Sequence, residues 1–215
     1  MPELSVRKLY EDRKDYFELT LLTSEKGLSH TIRNAELHRP GLALAGFFER
    51  FPFNRTQIFG ETEMAYLTQK SAGELQATAR ALFSHNIPLV IIAKGLVPPE
   101  SFLAEADRVG APILSSRLST ADLMNRLTVH LDMLFAPKTS VHGTLVDVYG
   151  VGLLYTGKSG IGKSEIALDL VERGHRLVTD DVVQITRKAK DLIVGSGSDI
   201  LGHHMEVRGI GIIDV

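Results

Sequence analysis

The sequence contains no cysteine, so no disulfide framework, thiol nucleophile or thiolate metal site is open to it. No apolar run approaches the roughly 18 residues of a membrane-spanning helix. The start, Met1-Pro2-Glu3, leads into mixed polar sequence and lacks the basic end and apolar core of a signal peptide. Charge of one sign is missing too: 24 Lys and Arg against 26 Asp and Glu leave a net charge of −2. Nothing therefore marks the chain as a nucleic-acid binder. Internal repeats and low-complexity segments are absent. These exclusions leave a soluble, cytoplasmic protein as the expectation. What is present is ordinary globular composition, 44% hydrophobic and 23% charged over 215 residues, enough for one large or two modest domains with real cores.

The most informative stretch is Val151 to Asp181, VGLLYTGKSGIGKSEIALDLVERGHRLVTDD. The apolar run Val151–Tyr155 has strand length and β-leaning composition. Gly157-Lys158-Ser159-Gly160-Ile161-Gly162-Lys163-Ser164 then fits G-x-x-x-x-G-K-[ST] without a mismatch. A segment of helical period follows, with Ile166, Ala167, Leu170 and Val171 on one face and Gly174 where a helix closes. The glycines let the backbone curl so that N–H groups converge, and the helix N-terminus adds partial positive charge. In such a loop Lys163 reaches the β/γ-phosphates and the Ser164 hydroxyl ligates Mg²⁺. The plainer reading, a glycine-rich turn with a surface lysine, is disfavoured by the strand before it and the helix after it.

From the N-terminus, Ser5–Leu9 and Glu18–Leu22 read as short strands, Thr31–Ala35 as an extended piece and Leu42–Phe48 as helix-like. Gln57–Gly60 is strand-like, and Glu74–Phe83 carries a helical face of Leu75, Ala79, Leu82 and Phe83. Pro88–Ala93 is a continuous apolar run of the kind found in buried parallel strands. Pro99–Val109 is a short helix closed by Gly110, and Pro112–Ser115 a further strand. Ser119 is a good N-cap for a helix bearing Leu123, Met124, Leu127, Leu131 and Leu134, a core stripe. The alternation predicts an α/β fold class: an N-terminal α/β domain with a partly parallel sheet over 1–135, of unknown role, then a P-loop (Walker A) kinase domain over 136–215. Pro137-Lys138-Thr139 reads as the linker. Beyond it lie two strands joined at Gly150, then short strands at Arg176–Asp180, Val182–Arg187 and Leu192–Gly195.

Other residues near the loop carry possible chemistry. Asp180-Asp181 ends the β-like run RLVT; a carboxylate there can hold Mg²⁺ or act as a general base, and the competing reading is a solvated acidic turn. On an extended chain the two point to opposite sides, so one is expected to face the phosphates. His142, in Val141-His142-Gly143, reads by pattern alone as structural. His203-His204 has no partner at ligand spacing, so no zinc site is indicated. Met205–Val215, MEVRGIGIIDV, ends in a Gly-x-Gly turn that means little by itself.

Taken together, VHG, TGKSGIGKSE, RGHRLVTDD and MEVRGIGIIDV, in that order, resemble the bacterial HPr kinase/phosphorylase family. ELHRPGLALAGFF resembles that family's N-terminal segment, so the resemblance spans essentially the whole chain. It implies a bifunctional enzyme that phosphorylates a serine of HPr, a carrier of the sugar phosphotransferase system, using ATP or pyrophosphate. It further implies removal of that phosphate by phosphorolysis, a role in carbon catabolite repression, and assembly as a homohexamer. By motif, Gly157–Ser164 bind the nucleotide phosphates, Ser164 and Glu206 hold Mg²⁺, and Asp181 is the base and acid. Lys163 neutralises transferring charge and His142 lies close to the phosphates. The signature Met205-Glu206-Val207-Arg208-Gly209-Ile210-Gly211-Ile212-Ile213-Asp214 serves both directions. Lys158 departs from the acidic residue that members often carry there. Members also run on past the position of Val215 with a further catalytic arginine and C-terminal helices, so an incomplete catalytic domain is expected. Alternatives from other classes are a P-loop kinase of small molecules and a nucleotide-binding regulator without transferase activity.

Overall fold

The computed structural model describes residues 2–189, 191–197, 204–207 and 211–214, with backbone alone described at 189, 204–207 and 211–214. The chain divides into two compact units, Met1–Phe135 and Ala136–Val215. Both mix helices with parallel or antiparallel strands.

The first unit runs β1 (Leu4–Ser5), α1 (Val6–Arg13), β2 (Leu19–Leu21), a 3-10 turn (Glu25–Ser29), β3 (Thr31–Ile32), β4 (Leu37–His38), α2 (Gly41–Leu44), β5 (Thr56–Phe59), α3 (Glu61–Thr68), α4 (Ala72–Phe83), β6 (Val90–Ile92), α5 (Glu100–Arg108), β7 (Ile113–Ser116) and α6 (Thr120–Phe135). Its main sheet has the order β2-β7-β6-β5-β4 and is parallel apart from β2. Successive residues of the central strands feed opposite faces. Phe59, Val90 and Ile92 join Leu67, Leu82 and Phe102 of the covering helices. Ile58 and Ile91 instead meet Leu9 of α1 and Leu123, Leu127 and Leu131 of α6. Helices on both faces are why PLVIIA is apolar throughout. The start of α6 is as expected, with the Asp122 N–H donating to Ser119 Oγ at 3.1 Å.

One expectation fails here, and one helix gave no signal in the sequence. Val6–Arg13 is helix, not strand. Ser5 caps it by accepting the Lys8 N–H at 3.2 Å, and Val6 and Leu9, one turn apart, are both buried. Helix α3 gave no apolar signal because one of its buried positions is an acid: Glu63, 5% exposed, accepts the Gly60 N–H at 2.9 Å and Arg39 Nη2 at 2.6 Å.

Helix α4 is tied to α5 through Glu105, whose side chain is 7% exposed and accepts from Arg108 at 2.7 Å and Arg80 at 3.2 Å. The Arg108 guanidinium, then that of Arg80, holds the Glu105 carboxyl at about 2, below its ordinary 4.5. A depressed carboxylate stabilises the fold above its unfolded-state value and loses that contribution as pH falls towards the folded one. Both arginines are largely exposed, so screening reduces the effect to about 1–2 kcal/mol. Glu105→Gln is expected to cost that much at pH 7. The difference from wild type should shrink between pH 4.5 and about 2, read by urea unfolding at several pH values. An equal difference across that range would show the ion triad to be inert.

The second unit contains β8 (Lys138–His142), β9 (Thr144–Val148), β10 (Val151–Tyr155), α7 (Lys163–Glu172), β11 (Arg176–Thr179), β12 (Val182–Ala189), β13 (Leu192–Ser196), β14 (His204–Val207) and β15 (Gly211–Asp214). Two antiparallel sheets, β10-β9-β11 and β13-β12-β8, accompany the hairpin β14-β15. Lys138 and Thr139 are not linker: they open β8, which pairs with β12 from Lys138↔Thr186 to His142↔Val182. The β9–β10 hairpin turns through Tyr149 (φ 53°) and Gly150 (φ 83°), the positive pair that a two-residue primed turn demands.

Helix α7 closes as Gly174 predicts. Gly174 has φ 90°, its N–H donates to Val171 O, and the His175 N–H donates to Leu170 O at 3.0 Å, satisfying the last carbonyls. Its inner face is Ala167, with Leu170 and Val171, against Val146 and Leu177. Ile166 is not part of that face; it is half-exposed.

Candidate functional site

In the second unit two strand pairs hand over between sheets at the same place. The chain leaves β8 at His142, whose partner is Val182, and enters β9 at Thr144, whose partner is Tyr155. Gly143 is the single residue between them. On the neighbouring strands the chain leaves β11 at Thr179, passes Asp180 and Asp181, and enters β12 at Val182. The Gly143 N–H donates to Asp181 O at 3.0 Å, so the two crossings are stitched together. Tyr155 is also the last residue of the strand that leads into the loop Gly157–Ser164. The seam therefore places His142, Asp180 and Asp181 beside the glycine-rich loop.

A cavity of about 330 Å³ lies between them. The loop contributes Gly157, Ser159, Gly160, Gly162, Lys163 and Ser164; the seam contributes His142, Gly143, Asp180 and Asp181. Gly162 (φ 96°) takes the left-handed conformation at the N-cap of α7, where a side chain would be strained. Lys163 Nζ donates to Gly157 O and Lys158 O at 3.2 Å each, so the lysine lies over its own loop. Lys158 and Ile161 are exposed and do not line the cavity. The cation of Lys158 thus belongs to the rim rather than to the wall.

The two aspartates differ from the expectation of opposite sides, since both line the cavity. Asp181 has φ 75°, so the extended alternation ends there. A register shift between Leu177 and Thr179 of β11 further re-aims the chain just before Asp180. Asp180 accepts the Ser164 hydroxyl at 3.1 Å on Oδ2 and the Thr144 hydroxyl at 2.6 Å on Oδ1. Asp181 stands open, 81% exposed, with Oδ1 at 3.8 Å from Nδ1 of His142, itself 86% exposed. A pair so exposed adds little stability.

The hard oxygen donors Ser164 Oγ and Asp180, both lining the cavity, fit a Mg²⁺ ion held partly by a ligand's phosphates. Among the described residues no cluster of three or more His, Asp or Glu forms an independent metal cage. Glu206 lies on β14, which runs alongside α7 and pairs with β15 at Ile212; its side chain lies outside the description. So do those of Met205, Val207 and Gly211–Asp214, while Arg208, Gly209 and Ile210 lie wholly outside the described residues.

Residues 4–131 match the family model "HPr Serine kinase N terminus" and residues 133–215 match "HPr Serine kinase C-terminal domain". The chain belongs to the HPr serine kinase family. An HPr kinase/phosphorylase of Halalkalibacterium halodurans is 44% identical over 204 residues, covering 95% of this chain and 66% of the relative. One of Bacillus cereus is 42% identical over all 215 residues and 68% of its own length. The chain thus spans about two thirds of the curated relatives it matches. A solved Hpr(Ser) kinase/phosphatase from Coxiella burnetii is 37% identical over 35% of this chain and 50% of its own, with a TM-score of 0.34.

Within this HPr kinase family chain, the loop was readable from local spacing. Thr144 was not, because its contact with Asp180 spans 36 residues of sequence. The one available signal was a hydroxyl residue opening a strand just before the apolar pair Leu145-Val146.

Proposed function

We propose that this chain carries the nucleotide and phosphoryl-transfer site of a bifunctional HPr kinase/phosphorylase. The observation that carries the reading is the single cavity joining the Gly157–Ser164 loop to the Ser164–Asp180 hydrogen bond and the open carboxylate of Asp181. ATP or pyrophosphate binds with its phosphates in the loop, and Lys163 swings from its own carbonyls to the transferring group. Ser164, with Asp180 behind it, and Glu206 would hold Mg²⁺, which would supply neutralisation of the phosphate charge.

The seryl hydroxyl of HPr attacks the terminal phosphorus as the bond to the leaving phosphate oxygen breaks, and Asp181 accepts the seryl proton. In reverse, inorganic phosphate attacks the phosphoserine phosphorus and the bond to the seryl oxygen breaks. The proton lost by phosphate then reaches that oxygen through Asp181, leaving pyrophosphate. His142, beside Asp181, orients it and adds a donor for the phosphates. A serine on a folded protein is a bulky acceptor, and a base that is 81% exposed suits it better than a closed small-molecule pocket would.

Assembly as a homohexamer, a cytoplasmic setting and a part in carbon catabolite repression belong to the same reading. No helix among the described residues is long and apolar enough to cross a membrane. Incubation with purified HPr, Mg²⁺ and ATP, followed by intact mass, is expected to show one added phosphate. Excess inorganic phosphate should then remove it with release of pyrophosphate. ATP binding without any transfer to HPr would leave a nucleotide-binding regulator instead.

A further inference from the structure

Thr144 is fully buried, yet it carries a hydroxyl. A buried hydroxyl needs a partner, and here the partner is the carboxylate behind the loop serine: Thr144 Oγ1 donates to Asp180 Oδ1 at 2.6 Å. The other carboxylate oxygen, Oδ2, accepts the hydroxyl of Ser164 at 3.1 Å. Thr144 is held in place by its strand. It opens β9, opposite Tyr155 of β10, and the chain reverses sheets at the residue before it. Asp180, by contrast, sits between two strands and is only part-buried, so its carboxylate plane is not fixed by packing alone.

The consequence concerns lone pairs. A serine hydroxyl has one proton and two acceptor sites. While that proton points at Asp180, the acceptor sites of Ser164 are left for a cation in the cavity. If the carboxylate turned, the serine proton would have to find another acceptor, and the orientation useful to a metal would be lost. Thr144 spends one carboxylate oxygen so that the other stays on Ser164.

We infer that Thr144 is a positioning residue that orients Asp180 towards Ser164 and thereby sets the Mg²⁺ affinity of the nucleotide site. The inference rests on the reading of this cavity as a Mg²⁺–nucleotide site but not on HPr as the acceptor. Thr144 does not line the cavity, so it acts through Asp180 rather than on the ligand. Its effect is confined to metal-dependent binding, which separates it from a purely structural role.

The test uses ADP labelled with a fluorescent group on the ribose, bound to the protein across a Mg²⁺ titration. Thr144→Val keeps the buried volume and removes the hydroxyl. It is expected to raise the half-maximal Mg²⁺ concentration about tenfold, the scale of one lost hydrogen bond to a charged group, and to leave metal-free ADP affinity unchanged. Thr144→Ser, which retains the hydroxyl, should restore the wild-type titration even if its thermal midpoint stays lower. In a Ser164→Ala background Thr144→Val should have no further effect on the titration, since both act through Asp180. A Thr144→Val titration equal to wild type overturns the inference, as does a loss that Thr144→Ser fails to rescue or wild-type binding that ignores Mg²⁺. Because HPr is absent from the assay, failure of transfer to HPr with the Mg²⁺ shift intact would sink the proposed function alone.

Discussion

Asp181→Asn is expected to lower phosphorylation of HPr by about 10²–10⁴-fold, the span that a positioned general base contributes, while nucleotide binding stays at the wild-type level. The choice of asparagine matters. Asp181 has φ 75°, a region where most side chains are strained and asparagine is tolerated. Asparagine also keeps the size of the group, so the Gly143 N–H to Asp181 O contact at 3.0 Å is preserved. What changes is the ability to accept a proton. Phosphorolysis should fall by a comparable factor, because it is the reverse of pyrophosphate-dependent phosphorylation and shares its transition state, in which the same carboxylate oxygen must release its proton to the seryl group. The measurements are phosphoserine on HPr by mass and pyrophosphate release, with labelled-nucleotide binding as the control. Full transfer by Asp181→Asn would remove Asp181 from the chemistry and turn attention to Asp180 and Glu165, the remaining carboxylates of the cavity.

The parts of this fold readable from sequence are those whose signal is local. Leu75, Ala79, Leu82 and Phe83 repeat at helical spacing, and all four are buried in α4. PLVIIA is apolar because helices cover both faces of the central strands. The strand, glycine turn and helix around Gly157–Ser164 are legible for the same reason, since their signals fall on one contiguous stretch. Where a reading failed, apolar spacing alone did not carry the signal. Ser5–Leu9 read as a strand, but the Ser5 cap and the burial of Val6 and Leu9, three residues apart, make Val6–Arg13 helix. Helix α3 was invisible because Glu63 occupies a buried position, and only the folded structure brings Arg39 to it. At the site, the period-two rule separated Asp180 from Asp181, and a left-handed residue reunited them in one cavity. No window of sequence predicts that β8→β9 and β11→β12 change sheets side by side.

That seam makes Gly143 the position where the smallest addition should do the most damage. A Cβ built on Gly143 would collide with the carbonyl oxygen of Tyr155. It would also stand 3.2 Å from Leu154 Cδ1 and 3.3 Å from the Tyr155 carbonyl carbon. The obstacle is backbone, which has no rotamer with which to yield, so one strand must move. On one side the movement carries His142 and Thr144; on the other it carries Tyr155 and, two residues later, Gly157 of the loop. Gly143→Ala is therefore expected to destabilise the second unit by about 1–3 kcal/mol, the usual cost of overpacking. For a unit of this size that is a fall of at least about 4 °C in its melting temperature. Nucleotide affinity should fall with it, because the loop and the seam cannot both keep their places. Gly152→Ala supplies the control. It lies on the same hairpin, but its Cβ would meet only Leu145 Cδ1 at 3.5 Å, an ordinary contact. That variant should melt near wild type and bind nucleotide normally. If Gly143→Ala behaved like Gly152→Ala in both assays, the close approach of Gly143 to Tyr155 would not be what holds His142, Thr144 and the loop in register.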